Sequence, residues 1–157
     1  MSRAWAATEK SPVTDRDVHW SVAPVALPPA PHLSAAELES ILRTPGAGAV
    51  DGAASDLAWL RRCQAGHKID LTCLRLGKAR VLHMPGELFV EYQLAAKMMR
   101  PDCFVAMAAY GDYGPGYIGT AIGYEQGGYE TSKAASNTAP EVEAVLMDGM
   151  RKLLRDE

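Results

Sequence analysis

The chain has 157 residues, 48% of them apolar and 22% charged, the composition of one ordinary globular domain able to bury roughly two thirds of its unfolded surface. A formal net charge of −3 argues against the basic footprint with which proteins hold DNA or RNA. No apolar run is long enough for a transmembrane segment, the start Met1-Ser2-Arg3-Ala4-Trp5 lacks the apolar core of a secretory signal, and Cys63, Cys73 and Cys103 form no CxxC pair, so the expectation is a cytoplasmic chain by default, with buried free thiols.

Residues 1–33 read as an irregular, Pro-rich segment, because Pro12, Pro24, Pro28, Pro29 and Pro31 break helical patterns, although Val18 to Leu27 is compatible with one edge strand. Ser34-Ala35-Ala36-Glu37 has capping-box spacing and predicts a short helix to about Arg43, ended by Thr44-Pro45-Gly46. A second helix is expected from about Gly52 to Ala65, burying Leu57, Trp59 and Leu60, with Gly66 as its stop.

Ile69 to Leu76 alternates apolar with polar and is followed by Gly77-Lys78 and a returning run, Ala79 to Met84, the pattern of a hairpin. After Pro85-Gly86, the spacing of Leu88, Tyr92, Ala95 and Met99 predicts a helix from Glu87 to Met99. Cys103 to Ala109 is apolar throughout and bounded by breakers, as expected of a strand covered on both faces. Strand, helix and strand make a βαβ unit with parallel strands in a mixed sheet, so the fold class read from the sequence is α/β with flanking helices.

Residues 110–129 hold five of the six tyrosines and seven of the fourteen glycines, and are expected to form an irregular Gly/Tyr-rich active-site loop. Beyond it, Thr138-Ala139-Pro140-Glu141 has the spacing of another capping box, and Val142, Val145, Leu146, Met150 and Leu153 mark the apolar face of a closing helix.

Parallel strands end on one edge of a sheet, where ligand sites of α/β proteins gather. Glu87 and the loop tyrosines are therefore predicted neighbours at that edge. The helix dipole alone accounts for a carboxylate at a helix start, and an aromatic packing cluster is the alternative for the loop. Asp112 reads first as a turn former. His19, His32, His67 and His83 lack HxH or HExxH spacing, so no complete metal site is legible, and only His83 is expected near the site edge.

Met84-Pro85-Gly86-Glu87, then Gly116-Tyr117-Ile118-Gly119-Thr120, then Gly127-Gly128-Tyr129-Glu130 resemble, in order and spacing, the carboxyl-terminal part of the catalytic domain of neutral/alkaline non-lysosomal ceramidases. The resemblance is strongest from about Asp70 to Thr131. It implies that 34–157 is an α/β portion of a ceramidase-like catalytic domain, in which zinc, held by two histidines, a glutamate and a tyrosine, activates the water that attacks an amide. By position Glu87 and Tyr117 are the implied metal ligands, and Tyr129 the tyrosine beside the substrate carbonyl. The family's histidine ligands have no counterpart among the four histidines here, so the implied zinc site is incomplete in this chain, and the missing amino-terminal part of the catalytic domain is its implied partner. The resemblance thus points to the carboxyl-terminal portion of a zinc-dependent hydrolase, inactive alone, acting on ceramide (N-acylsphingosine) or another amide substrate; full-length relatives are often exported. The alternative is a non-enzymatic module that binds a small molecule or lipid headgroup through the tyrosine-rich loop.

Overall fold

The structure, a computed structural model, describes residues 2–44, 50–112 and 114–155; Pro45 and Gly46, expected to end a helix, and Tyr113 of the tyrosine-rich segment lie outside them. The fold is α/β, with helices around a mixed sheet. A helical turn α1 (Ser2–Ala6) leads through a 3-10 turn to strand β1 (Val18–Val25), then to helices α2 (Ala35–Arg43) and α3 (Val50–Gln64). Ser34 caps α2 as expected, accepting a hydrogen bond from the Glu37 amide. Leu57, Trp59 and Leu60 of α3 are all buried.

Strands β2 (Ile69–Leu76) and β3 (Ala79–His83) form the hairpin, and β5 (Phe104–Ala108) follows helix α4 (Val90–Met99), with the two-residue strand β4 (Glu87–Leu88) just before it. The main sheet runs β1-β2-β3-β5, antiparallel except between β3 and β5. The chain closes with strand β6 (Tyr117–Ile118), helix α5 (Ala121–Gln126) and helix α6 (Val142–Leu154).

One face of the sheet carries the core. Leu71, Cys73, Leu82 and Val105 alternate onto it and pack with Tyr92 and Ala96 of α4 and with Leu146 and Met150 of α6. Helix α6 lies so close that a Cβ on Gly149 would sit 2.5 Å from Leu71 Cδ1 and 3.4 Å from Val25 Cγ1. Glycine is thus used in mid-helix, against its propensity, for a close helix–sheet approach.

Four expectations need correction. Glu87 does not start the helix: it lies in β4, paired with β6, and α4 begins at Val90. The stretch from Tyr110 to Tyr129 is not wholly irregular, since it contains β6 and α5. Strand β5 is not covered on both faces, because Phe104 is 70% exposed. The capping box at Thr138 does not form. Glu141 occupies the cap position of α6 without a side-chain cap bond, because the Thr138 hydroxyl is hydrogen-bonded to Tyr124 and the Ala139 amide donates to the Pro28 carbonyl.

Gly149→Ala should lower stability by about 1–2 kcal/mol, overpacking against Leu71 outweighing the helix-propensity gain of up to about 1 kcal/mol. The midpoint of urea unfolding is the measurement; a raised midpoint would show that α6 and β2 have room to separate.

Candidate functional site at the carboxyl edge of the sheet

Strands β3 and β5 end together, with His83 opposite Ala108 in the parallel register. Past that edge the two chains stay tied: the Met84 amide donates to Ala108 O, the Gly111 amide to Met84 O, the Tyr110 amide to Gly86 O and the Gly86 amide to Asp112 O, all at 2.8–2.9 Å. The segments leaving the two strands are therefore one hydrogen-bonded unit. Tyr110 holds a φ of 66° within it, a left-handed conformation that costs a non-glycine residue about 1–2 kcal/mol.

The third segment enters through a close backbone approach. A Cβ on Gly86 would lie 2.6 Å from Gly116 O, and one on Gly116 would lie 2.5 Å from Ala135 O; both residues also have positive φ, 59° and 66°. Only glycine meets both conditions at either position. The contact lets β4 and β6 pair in parallel, with the Glu87 amide donating to Gly116 O at 2.9 Å and the Phe89 amide to Ile118 O at 3.0 Å. Glu87 and Tyr117 become direct register partners.

The side chains of that pair interact. The negative charge of the neighbouring Glu87 carboxylate pushes the Tyr117 phenol above the usual tyrosine range, and Glu130 adds a smaller effect of the same sign. The ring of Tyr129 stands edge-on to that of Tyr117, with centroids 6.2 Å apart and planes at 72°. Tyr129 is 65% exposed, so its hydroxyl is accessible to a ligand. Beside the two rings opens a cleft of about 380 Å³, whose lining includes Asp56, Lys133 and Asn137. Asp56 is oriented there by the Asn137 side-chain amide, which donates to it at 2.8 Å.

Tyrosines Tyr92 and Tyr124 have structural roles. Tyr92 is fully buried and donates to Gly119 O at 2.9 Å, and burial pushes its phenol far above the usual range. The Tyr124 hydroxyl bonds Ser136 and Thr138 at 2.8 Å each. Asp112 forms a turn, accepting from the Gly114 amide, and also an ion pair with Arg62 at 2.8 Å. Although burial raises its pKa, the bonds from Arg62 and Gly114 hold the carboxyl below the usual range.

The edge thus brings together Glu87, Tyr117 and Tyr129. His83 lies at that edge as the last residue of β3, where its ring packs against Trp20 at 5.2 Å and its Nδ1 bonds Thr72 at 3.2 Å. Among the described residues, no three His, Cys, Asp or Glu side chains are grouped for a metal ion. The donors at the Glu87–Tyr117 pair are carboxylate and phenol oxygens, two groups of the kind that can ligate a cation. Sequence reasoning missed Glu130 as a neighbour acting on Tyr117, although it directly follows Tyr129 in the motif already singled out. Asp56 and Lys133 were missed as well, since no local pattern links α3 to the segment after α5. Comparison of the chain with protein-family models, curated proteins and solved structures gives no match.

Because the negative charge of Glu87 is the largest influence on the Tyr117 phenol, Glu87→Gln should move its pKa down towards the ordinary value. The fold favours the neutral phenol, a preference present below the ordinary tyrosine pKa and lost as pH rises through the raised one. Carbon NMR of the tyrosine Cζ, assigned with Tyr117→Phe, follows the titration. An unchanged curve in Glu87→Gln would contradict the coupling.

Proposed function

We propose that this chain is the carboxyl-terminal portion of a ceramidase-like, zinc-dependent hydrolase that cleaves an amide bond, in N-acylsphingosine or a related substrate. The observation that carries the reading is the Glu87–Tyr117 pair: a carboxylate and a phenol, thirty residues apart in sequence, made register partners and electrostatically coupled at the carboxyl edge of the sheet. A raised phenol pKa beside a carboxylate is compatible with metal ligation, because a bound cation would displace the phenol proton and reverse the local electrostatics. Zinc at such a site supplies Lewis-acid polarisation and a water acidic enough to act near neutral pH.

The chain's own residues have separable tasks. Glu87 and Tyr117 contribute two oxygen donors, held in place by the β4–β6 backbone bonds. Tyr129, exposed and packed edge-on to Tyr117, would donate a hydrogen bond to the substrate carbonyl oxygen as negative charge develops on it. The two imidazole ligands belong to the amino-terminal part of the catalytic domain, so this chain alone is inactive.

A second reading has one observation in its favour. The cleft beside Tyr117 and Tyr129, with Asp56 and Lys133 in its lining, offers aromatic faces, a carboxylate and an ammonium without any metal. A non-enzymatic module recognising a small polar molecule or a lipid headgroup would use it as it stands. Zinc dependence separates the two.

The isolated chain should bind zinc weakly, and Glu87→Gln and Tyr117→Phe should each reduce that binding. Indifference of zinc titrations to both substitutions would sink the metal assignment. In the protein joined to its amino-terminal part, Tyr129→Phe should keep zinc and fold while kcat falls by about 10² to 10³, the loss typical of one oxyanion donor. Tyr117→Phe should lose zinc as well as rate. A Tyr129→Phe enzyme within about twofold of the parent would return Tyr129 to a packing role.

A further inference from the structure

The helices that build the core cover only one face of the main sheet, and β1 forms one of its two edges. The opposite edge, β5, is guarded: it has five residues, and the Gln93 side-chain amide of α4 donates to Val105 O at 3.0 Å. Strand β1 is longer and open. Its eight residues, Val18-His19-Trp20-Ser21-Val22-Ala23-Pro24-Val25, include no Asp, Glu, Lys or Arg and pair with β2 without a bulge. Val18 to Val22 are all exposed, Trp20 to 57%. Native sheets ordinarily blunt such an edge with charge, a bulge or a covering segment.

The phase of the ladder identifies which backbone groups the edge presents. The Gly77 amide donates to Asp17 O at 2.9 Å, and that pair continues the β1–β2 register one step beyond Val18 and Leu76. Directly opposed residues of an antiparallel pair alternate between bonded and unbonded. Asp17, His19, Ser21 and Ala23 therefore turn their backbone groups towards β2, whereas Val18, Trp20, Val22 and Pro24 turn theirs outwards. Two of these four are blocked: the Val18 amide donates to Asp15 O, and Pro24 has no amide. Among the described residues, no hydrogen bond from outside β2 reaches the backbone of Trp20 or Val22. The edge thus presents a window of two residues, each with a donor and an acceptor, closed at both ends.

We infer that a second copy of this chain pairs with this window, antiparallel and about a twofold axis through Ser21, joining two four-stranded sheets into one. The inference is independent of the proposed function. A twofold axis normal to the sheet keeps the side-chain alternation of both copies in phase only if the residue numbers of opposed pairs sum to an even number. Among those registers, the one centred on Ser21 sets Trp20 against the partner's Val22 and Val22 against the partner's Trp20, both as bonded pairs that exchange two hydrogen bonds. Every amide and carbonyl of the window is then satisfied. The same register sets Val18 against the partner's Pro24, so that blocked ends meet blocked ends. Centring on Trp20 or on Val22 leaves a window carbonyl opposite a committed or a missing amide. An unrelated strand, with an amide and a carbonyl at every outward position, would leave carbonyls without donors opposite Val18 and Pro24.

The side chains agree with this pairing. On the open face the seam matches an aromatic with a β-branched residue twice, a favourable cross-strand combination. No charged side chain lies on the seam, since Asp70 stands one strand further in, opposite Pro24. The contact is small. Seven residues rising about 3.3 Å each, across a sheet about 10 Å thick, bury on the order of 500 Å² in all, below the roughly 1,200 Å² of a standard interface, so the dimer is weak and reversible. Because the β5 edge is guarded, assembly closes at two copies and does not grow into a fibre.

Sedimentation of the 157-residue chain, taken up to millimolar concentration, should show reversible exchange between monomer and dimer. Val22→Pro removes an outward amide and no β1–β2 bond, so it should weaken association at least about tenfold with an unchanged circular dichroism spectrum. Val22→Lys, the charge with which natural edges avoid pairing, should do the same. Crosslinking fixes the register. The background is Cys63→Ser, Cys73→Ala and Cys103→Ser, because Cys73 lies opposite Ser21 within the chain. There Ser21→Cys puts two thiols on the axis at an unbonded pair, with Cα atoms about 4.5 Å apart, within the span of a disulfide. Mild oxidation should join Ser21→Cys chains as covalent dimers and should leave His19→Cys chains single, since their thiols are displaced by about 13 Å along the seam. A chain that stays monomeric at millimolar concentration overturns the inference, as does a dimer indifferent to both Val22 substitutions. Equal crosslinking at the two cysteine positions overturns it too, because random collision or another interface then brings the thiols together. A dimer that Val22→Lys dissolves but Ser21→Cys fails to crosslink overturns the Ser21 axis.

Discussion

Two glycine backbones passing almost in contact organise everything at the carboxyl edge of this protein. Gly86 passes so close to Gly116, and Gly116 to Ala135, that a methyl group on either glycine would strike a carbonyl oxygen, and both hold backbone angles that other residues adopt only with strain. That contact permits the parallel β4–β6 pairing, and the pairing places Tyr117 against Glu87. The rest of the Gly/Tyr segment is then fixed from outside: Tyr92 of α4 holds Gly119 O, Ala135 O accepts from the Tyr117 amide, and Tyr124 is anchored to Ser136 and Thr138. A stretch whose composition suggests an irregular loop is instead tied at several points to the core.

The electrostatics of the edge follow from that arrangement. Asp112 is neutralised by Arg62 and serves the turn, whereas the charges of Glu87 and Glu130 converge on the Tyr117 phenol. Neighbouring negative charge disfavours the phenolate, so this phenol holds its proton more tightly than a free tyrosine does. This asymmetry between a paired carboxylate and carboxylates directed at a phenol separates scaffold from candidate chemistry within a few residues.

How much of this was legible in the sequence depended on the range of the interactions involved. Strand β2 and helices α2, α3 and α6 follow from short-range periodicity, because each buries one stripe of residues against the core. Local signals misled wherever a distant partner competed. Glu87 carries the marks of a helix start, yet its amide is taken by Gly116 and its residue by a strand thirty positions away. Thr138 and Glu141 have the spacing of a cap, yet the threonine hydroxyl is bound to Tyr124.

By itself the sequence determined the α/β class, the parallel βαβ unit, and the expectation that Glu87 and the tyrosines of the Gly-rich segment would share one edge of a sheet. Alternation, helical spacing and breaker residues are local properties, and they carry this much without any knowledge of packing. Only the tertiary structure decided that Glu87 and Tyr117 pair directly, that Tyr124 is an anchor while Tyr129 stays exposed, that His83 faces Trp20, and that one face of the sheet is open. Each of these is set by which backbones can approach one another and which layers are present, and such choices rest on contacts between residues far apart in the chain.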